Sequence, residues 1–372
     1  MTRIMICANN IDELGGAQRV VHLLADGFHR RGHEVTAVGV TPYEPAHPMP
    51  GGFDRRVLMP EVWPKKSAQT ERVRANLRAT AVSQLVELLR TNAHEPGVII
   101  TAQVWSMEIL ADALAVLNPA ARACWKVIGQ YHGSFAAAAS GRDLARVLRS
   151  YQDVSIFTAL SDEDAAAFTA AGLRNVRSMP NPLAFWPAQP AEFSARESTL
   201  TYLGRLAEEK GVDLLIDAWS LLADRHPNWR LRIVGDGPQA PQLRDQASVL
   251  AGAERIDWVQ PTADPASVLL DSDLVAVPSR TEGLPLVIAE AGACGVPVVA
   301  TDCSSGVRQL VGTWGRLAPR EDSRGLASAL DAAMSDPGWR HEAGARARRE
   351  MERYRLDVVL DSWEALITRV LQ

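Results

Sequence analysis

The sequence lacks the features that mark several classes of protein. None of its apolar runs approaches the ~20 residues of a membrane-spanning helix, and Met1–Ala8 contains no basic segment followed by a small-residue cleavage site. No CxxC pair is present, because the four cysteines are scattered along the chain at Cys7, Cys124, Cys294 and Cys303. We therefore predict a cytoplasmic protein with reduced cysteines, no signal peptide and no membrane-spanning helix.

An excess of charge of either sign is also absent. The 372 residues include 39 Lys and Arg against 44 Asp and Glu, and the pI is near 5.9, which argues against a nucleic-acid-binding protein. Hydrophobic residues make up 47% of the chain and charged residues 22%, as is typical of a globular protein. At about 150 residues per domain, the length predicts two domains.

Short apolar runs alternate with segments of helical periodicity along almost the whole chain, a pattern typical of βα units around a parallel sheet. Thr41–Lys66 is rich in proline and glycine and predicts a long loop. Ser161 is predicted to cap a helix whose first turn is acidic. In the first half, the predicted strands are Arg3–Ala8, Val35–Val40, Val98–Ala102, Trp125–Ile128, Ser155–Leu160 and Val176–Met179, and the predicted helices include Ala17–Arg31 and Thr70–Asn92.

A stretch punctuated by proline, from Pro180 to about Ser194, predicts a linker between two domains. The alternation restarts after it, so we predict an α/β fold with two doubly wound, Rossmann-like domains, residues 1–182 and 183–354, facing a central cleft. A C-terminal helix over about 355–372 is predicted to pack back on the first domain. In the second half, the predicted strands are Thr199–Leu203, Leu231–Val234, Arg255–Val259, Leu274–Pro278 and Val298–Thr301, and the predicted helices are Lys210–Ala223, Gln239–Ala251 and Pro285–Ala293.

The strongest candidate motif is Ser279–Glu290, which follows an apolar strand and opens a predicted helix. If that helix starts near Glu282, this residue and Glu290 lie about two turns apart on one face. The N–H groups of Leu286 and Val287 would then form an anion site, with one carboxylate beside the anion and the other placed to accept from a diol. The alternative is a solvated loop with one surface glutamate and one partly buried glutamate.

A second motif, Gly204–Gly211, lies between another strand and the following helix. Arg205 and Lys210 flank a turn at the carboxyl end of that strand. Together with roughly half a positive charge at a helix N-terminus, these two cations can offset a diphosphate without a metal ion. The alternative is a charged surface loop.

Two further candidates follow strands in the N-terminal half. Gly15-Gly16 forms a short glycine loop before the first helix, although the GxGxxG pattern of dinucleotide-binding proteins is absent. His132 is either a functional residue or a polar residue satisfied within the fold. Asp271 and Asp273 form a DxD pair, but they precede their strand and lie at the wrong edge of the sheet, so we predict no metal site.

In this order the motifs, together with Asn181-Pro182 and Gly235–Pro238, resemble glycosyltransferase family 4. They are most similar to its bacterial polysaccharide branch of amylovoran galactosyltransferase-like enzymes. The resemblance extends from Gly15 to Trp363. It implies a GT-B fold, a nucleoside-diphosphate sugar as the donor, retention at the anomeric carbon, and no requirement for a metal or another cofactor.

The resemblance also implies roles for the residues that match the family pattern. Glu282 would contact the transferred sugar and His132 the sugar or the acceptor hydroxyl, so both are candidate catalytic residues. Glu290 would hold the ribose hydroxyls. The residues implied at the donor diphosphate are Gly16, Arg205, Lys210, Leu286 and Val287, and those implied at the donor sugar or the cleft are Gly15, Asn181, Gly283 and Leu284.

We therefore predict a retaining transferase that moves a hexose or N-acetylhexosamine from a UDP-sugar to a hydroxyl group in cell-surface polysaccharide or glycoconjugate assembly. The acceptor would be a glycan, a lipid-linked sugar or a small molecule. Two mechanisms stay open: double displacement through a carboxylate nucleophile, and same-face attack assisted by the leaving phosphate. The alternatives are a sugar-nucleotide epimerase, a glycan phosphorylase, and a non-catalytic protein that binds nucleotide sugars.

Basic residues in the N-terminal half suggest contact with anionic lipid at the inner face of the plasma membrane, where each basic residue contributes about 1 kcal/mol. The alternative is a solvated helix face. The basic residues concerned are Lys65, Lys66, Arg72, Arg74 and Arg78, with Arg142, Arg146 and Arg149 on a second helix.

Overall fold

The computed structural model describes residues 1–13, 15–47, 51–67, 69–193 and 197–372. These residues form two compact units. The N-terminal unit comprises Met1–Pro182 together with Leu356–Gln372, and the C-terminal unit comprises Leu183–Arg355.

The N-terminal unit is built around a seven-stranded sheet in which every neighbouring pair of strands is parallel. Its strands are β1 (Arg3–Ala8), β2 (Glu34–Gly39), β3 (Asp54–Val57), β4 (Gly97–Thr101), β5 (Trp125–Gln130), β6 (Ile156–Ala159) and β7 (Val176–Ser178). Its helices are α1 (Gly16–Arg30), α2 (Glu71–Thr91), α3 (Val104–Val116), α4 (Pro119–Ala123), α5 (Phe135–Ser140), α6 (Asp143–Ser150) and α7 (Asp162–Ala170). The strand order is β3-β2-β1-β4-β5-β6-β7.

Local sequence explains where these elements begin. Strands β1 and β4 are buried along their whole length, as expected of strands covered by helices on both faces. Ser161 caps α7 as predicted, since its hydroxyl accepts a hydrogen bond from the Asp164 N–H, and three acidic residues occupy the first turn. Helix α1 buries Val20, Leu24 and Phe28, so its apolar stripe faces the core.

The C-terminal unit repeats the same architecture with a six-stranded parallel sheet. Its strands are β8 (Ser198–Leu203), β9 (Trp229–Val234), β10 (Ile256–Val259), β11 (Leu274–Val277), β12 (Val298–Thr301) and β13 (Arg316–Ala318). Its helices are α8 (Val212–Leu222), α9 (Ala240–Ser248), α10 (Pro265–Leu270), α11 (Leu286–Ala293), α12 (Ser305–Val311), α13 (Ser323–Met334) and α14 (Pro337–Met351). The strand order is β10-β9-β8-β11-β12-β13.

Each sheet contains one topological switch point, where the strand order reverses. The switch point lies between β1 and β4 in the N-terminal unit and between β8 and β11 in the C-terminal unit. In open α/β sheets, ligands bind outside the carboxyl ends of the strands at such points. The loops after these four strands are therefore the places where the fold favours a site.

The last helix, α15 (Leu356–Leu371), belongs to the N-terminal unit and packs on α1. A Cβ atom on Gly27 would lie 2.6 Å from Leu360 Cδ1, so the glycine lets the two helices approach closely. Arg31 Nη1 donates to Glu364 Oε2 at 2.9 Å. An apolar contact and an ion pair thus hold α15 to this unit.

The structure corrects three details of the sequence prediction. Thr41–Lys66 is not wholly a loop, because it contains the edge strand β3, whose short, polar sequence carries no apolar alternation. The helix predicted over Lys210–Ala223 is interrupted at Gly211, which has a left-handed φ of 62°. The third correction concerns Glu282, which lies in the loop before α11 and not on a helix face shared with Glu290. The predicted βα alternation is confirmed, although strand β13 and the helices α3, α4, α5, α10, α12 and α13 were not predicted.

In the described part of the chain, no helix is long and apolar enough to cross a membrane. All four cysteines are free thiols, as predicted, and Cys7 and Cys294 are buried. Burial raises the pKa of each of these two thiols to about 12. Both are therefore protonated near neutral pH and pack as small apolar side chains.

Replacing Trp363 by alanine should destabilise the N-terminal unit. This α15 side chain is fully buried, and truncation of a buried tryptophan costs about 3–5 kcal/mol. Hydrogen exchange of the β1 amides should report the loss as faster exchange. The control is Val358→Ala on the same helix, where the side chain is 39% exposed and the expected change is within about 0.5 kcal/mol. Equal exchange rates in the two variants would contradict the packing of α15 on this unit.

Candidate active site

The loops that follow β8 and β11 meet at the switch point of the C-terminal unit, and a charged pair joins them. Lys210 Nζ donates to Glu282 Oε1 at 2.8 Å, and the hydroxyl of Ser279 donates to the same oxygen at 2.7 Å. The Glu282 side chain is only 11% exposed and that of Lys210 28% exposed. The structure therefore brings together two residues from the two strongest sequence motifs, which lie far apart in the chain.

Close backbone approach makes this contact possible. Lys210 ends a single 3₁₀ turn, and Gly211 then takes the left-handed conformation before α8 begins. A Cβ atom on Gly211 would lie 2.2 Å from the carbonyl oxygen of Pro278, at the end of the neighbouring strand. Both the positive φ and the lack of space require glycine here.

Arg280 links the same two loops through a second set of contacts. Its guanidinium donates to both carboxylate oxygens of Asp213 at 2.7 Å each, and to the Glu208 carbonyl at 2.8 Å. Its Nε donates to Glu321 at 3.0 Å. The hydrogen bonds that Arg280 donates to Asp213 raise the pKa of Arg280. Burial alone would raise the pKa of Asp213, but Arg280 holds it below its usual value. The bidentate pair orients the loop that carries Glu282.

The turn at Arg205 rests on the turn that follows β9. The N–H of Leu206 donates to the Asp236 carbonyl at 2.9 Å. A Cβ atom on Gly235 would lie 1.9 Å from the carbonyl oxygen of Gly204. Tyr202 donates its hydroxyl proton to the Arg205 carbonyl at 2.8 Å. The backbone of Arg205 is therefore fixed, whereas its side chain is exposed and pairs with no acidic group in the described residues.

Helix α11 agrees with the predicted Pro285–Ala293 to within one residue, and it does not extend back to Glu282. Pro285 is its N-cap residue and Leu286 its first residue, so Glu282 lies in the preceding loop and does not share a helix face with Glu290. An extended Pro285, with ψ of 117°, keeps the chain before it out of the helix. As predicted, Leu286 and Val287 occupy the first turn of the helix. The backbone N–H groups of a first turn have no carbonyl within the helix to which they can donate. Glu290 is more buried than the motif indicated, at 2% exposure.

The start of α12 packs against Gly283, a contact that the motif analysis missed. The Ser304 hydroxyl donates to the Gly283 carbonyl at 3.3 Å and also caps α12 by accepting from the Val307 N–H. A Cβ atom on Gly306 would lie 1.9 Å from the Gly283 carbonyl oxygen. Leu284 is buried beside this contact. The sequence does contain a signal for this contact, because a serine that can cap a helix follows a strand and a glycine comes shortly after it.

The remaining predicted residues belong to the N-terminal unit. Gly15 is the N-cap of α1, and Gly16 is its first residue and is exposed. Asn181 is buried. His132 follows β5, and burial lowers its pKa to about 4, so its imidazole is neutral near pH 7. The participation of these four residues in a site with Lys210 and Glu282 stays a prediction.

The DxD pair has structural partners. Asp271 accepts a hydrogen bond from Arg232 at 3.0 Å, and Asp273 accepts from the backbone N–H of Thr199 at 2.8 Å. These contacts lie where β8 and β11 begin, at the edge of the sheet opposite to Lys210 and Glu282. Among the described residues, no group of three or more His, Cys, Asp or Glu side chains is arranged to hold a metal ion.

Two family models match the chain. Glycosyltransferase Family 4 matches residues 14–184, and Glycosyl transferases group 1 matches residues 197–336. The second match includes Arg205, Lys210, Glu282 and Glu290.

Relatives of the same length are found as well. An uncharacterized glycosyltransferase of Haemophilus influenzae is 25% identical over 374 residues, covering 99% of this chain and 100% of that protein. The amylovoran biosynthesis glycosyltransferase AmsD of Erwinia amylovora is 23% identical over 375 residues, covering 99% and 100%. The crystal structure of Anabaena Alr3699/HepE in complex with UDP has the same fold, with a TM-score of 0.75 at 20% identity, covering 99% and 100%. The chain therefore carries a Glycosyltransferase Family 4 domain followed by a Glycosyl transferases group 1 domain, and it is a glycosyltransferase with the GT-B fold.

Proposed function

We propose that the protein is a retaining, metal-independent transferase that moves a hexose or N-acetylhexosamine from a UDP-sugar to a hydroxyl group in bacterial polysaccharide or glycoconjugate assembly. The observation that carries the proposal is the contact between Lys210 and Glu282 at the switch point, with the side chain of Arg205 exposed nearby in sequence. The relative named for amylovoran biosynthesis and the UDP complex of the similar structure support the acceptor and donor classes. In this proposal, the acceptor binds to the N-terminal unit.

Arg205 and Lys210 bind the donor diphosphate. A lysine ammonium has three N–H donors, so Lys210 can keep its hydrogen bond to Glu282 and still reach a phosphate oxygen. Arg205 has its whole guanidinium available because no acidic group in the described residues pairs with it. The first-turn N–H groups of Leu286 and Val287 add uncharged donors that favour an anion. A contact between Gly16 and the diphosphate stays a prediction.

Glu282 contacts the transferred sugar, and Glu290 accepts from the ribose hydroxyls. Cleavage of the anomeric bond places negative charge on the departing phosphate, where fixed cations stabilise it as it develops. One oxygen of Glu282 already accepts from both Lys210 and Ser279, which weakens it as a nucleophile. This favours same-face attack over a double displacement through Glu282. Gly283 and Leu284 belong to the sugar site of the C-terminal unit in this proposal. The roles of Gly15, His132 and Asn181 of the N-terminal unit stay predictions.

Peripheral contact with anionic lipid is also proposed, over a smaller surface than the sequence suggested. Arg78 is paired with Asp112 at 2.7 Å and Arg146 with Glu108 at 3.0 Å. Among the basic residues predicted for this surface, those that are exposed and have no ion pair within the described residues are Lys65, Lys66, Arg72 and Arg142.

Arg205→Met should weaken UDP binding about 10- to 100-fold, because hydrogen bonds to a charged group contribute about 1.5–3 kcal/mol. Calorimetric titration with UDP, GDP, ADP and TDP, with and without EDTA, measures this and tests metal independence. The matched control is Arg225→Met, which removes an exposed ion pair with Asp331 at the far end of α8 and should leave UDP affinity unchanged. Unchanged affinity in Arg205→Met would remove this residue from the site. If the wild-type protein bound none of the four nucleotides, the donor class would be wrong.

Glu290→Gln should weaken binding of UDP but not of 2′,3′-dideoxy-UDP. The substitution removes the carboxylate acceptor that we assign to the ribose hydroxyls, and the dideoxy nucleotide has no such hydroxyl to lose. Measuring both nucleotides with the wild type and with Glu290→Gln completes a double-mutant cycle, in which the carboxylate and the ribose hydroxyls are the two groups removed. Equal losses for both nucleotides would show that Glu290 acts on the fold of the loop and not on the ribose.

His132→Gln should remove part of the acid sensitivity of the protein. The ordinary pKa of histidine is 6.5, and burial lowers that of His132 to about 4. Between these pH values the unfolded chain binds a proton that the folded protein does not, so the free energy of unfolding falls as the pH drops from 6.5 to 4. Urea unfolding at several pH values should show a smaller fall in His132→Gln. The exposed His94→Gln is the control and should behave like the wild type.

A further inference from the structure

A small cavity lies at the amino ends of β6 and β7, within the N-terminal unit. Its volume is about 230 Å³. Substrates of open α/β sheets bind outside the carboxyl ends of the strands, so this cavity lies at the opposite edge of the sheet from a substrate site. It is lined by Ser155 and Asn175, which directly precede the two strands, by Ile156 and Arg177 on the strands, and by Arg369 and Val370 in α15.

The lining of the cavity is positively charged. It contains Arg177 and Arg369 and no acidic residue. Arg177 donates to the Val176 carbonyl at 2.9 Å, and neither guanidinium has an ion pair within the described residues. Asp153, two positions before Ser155, lines a different cavity. The C-terminal end of α15 offsets roughly half a charge, so the two arginines leave the cavity with a net positive charge.

Two uncharged polar side chains complete the lining. Those of Ser155 and Asn175 make no hydrogen bond within the described residues, and both can donate to an anion. Asn175 has a left-handed φ of 54°, a conformation that glycine adopts without strain. Asparagine at this position therefore supplies an amide at the cavity that glycine would lack.

This set of donors suits a phosphate group. A phosphate monoester carries close to two negative charges and three strong acceptor oxygens, so it can accept from several side chains at once, whereas a carboxylate has two oxygens. Arginine matches phosphate geometry with two parallel N–H donors. The volume is below the roughly 300 Å³ at which pockets for drug-sized ligands begin, so a phosphate group fits the cavity better than a nucleotide does.

We propose that this cavity is a binding site for a phosphate monoester, held by Arg177 and Arg369 with further hydrogen bonds from Ser155 and Asn175. The site goes beyond the proposed function, which uses neither of these arginines. A ligand here joins the last turn of α15 to β6 and β7. Because it binds the folded protein only, it also stabilises the packing of α15 on the N-terminal unit.

The test is hydrogen exchange of the full-length protein, measured in inorganic phosphate and in sodium chloride of equal ionic strength. Glycerol 3-phosphate is the second probe, because it is a monoester. We expect both phosphates to slow exchange at the last turn of α15 and at the start of β6, with a saturable dependence on concentration. Sodium chloride should have no such effect.

Vesicles separate a lipid headgroup from a soluble phosphate as the source of the monoester. Phosphatidic acid in phosphatidylcholine vesicles carries the same group, and vesicles of phosphatidylcholine alone are the control. Protection by the soluble phosphates supports the site with a soluble ligand. Protection by the phosphatidic acid vesicles alone, if Arg369→Met removes it, supports the same site with a lipid ligand.

Two variants test the lining residues. Arg369→Met should weaken phosphate binding about 10- to 100-fold, the contribution of hydrogen bonds to a charged group. Asn175→Gly keeps the left-handed backbone accessible and removes only the amide, so it should weaken binding about two- to tenfold. The matched control is Arg174→Met, because this exposed arginine adjoins Asn175 but does not line the cavity. Thermal unfolding checks that each variant folds.

Three results would overturn the site. The first is equal phosphate affinity in Arg369→Met and the wild type. The second is an equal loss in Arg369→Met and Arg174→Met, which would show general attraction to a basic surface. The third is protection confined to the loops after β8 and β11, which would place the phosphate at the proposed donor site instead. UDP titration tests that donor site separately, so failure of one proposal is distinguishable from failure of the other.

Discussion

The close approach of two backbone segments at the β8–β11 switch point is the constraint on which the candidate active site depends. Gly211 lies against the carbonyl of Pro278, and no side chain fits between them. Because the two loops touch, Lys210 reaches Glu282, and Arg280 reaches Asp213 on α8. A parallel sheet supplies this geometry, since it directs the carboxyl ends of neighbouring strands to one edge.

The two units place different chemistry at equivalent edges of their sheets. In the C-terminal unit the edge carries Lys210, Arg205 and Glu282, groups that suit a charged diphosphate and its sugar. In the N-terminal unit the corresponding edge carries amides and a neutral histidine, His132. Uncharged donors distinguish ligands by the hydrogen bonds that each ligand can accept. Charged donors bind an anion more strongly than uncharged donors do. The same architecture, used twice, therefore presents charged groups at one edge and uncharged polar groups at the other.

Much of the fold could be predicted because apolar runs and helical periodicity report burial directly, as they did for β1, β4 and α1. Several elements that escaped prediction are short or carry little apolar pattern, but α3, with 13 residues, and α13, with 12, were missed despite their length. Strand β3 is held at the sheet edge by pairing with β2, and a polar four-residue segment gives no sign of that pairing. The helix face shared by Glu282 and Glu290 was wrongly predicted because their spacing fits a helix, whereas Pro285 keeps the preceding chain extended.

By itself, the sequence determined the βα alternation and the motif residues Arg205, Lys210, Glu282 and Glu290, since local patterns of burial, glycine and charge carry that information. Only the tertiary structure decided which of them meet. Lys210 and Glu282 are joined by a 2.8 Å hydrogen bond across 72 positions of sequence, and the supporting roles of Ser279, Arg280 and Ser304 emerge from the same packing. Contacts between distant segments depend on strand order and loop approach, which no local pattern records.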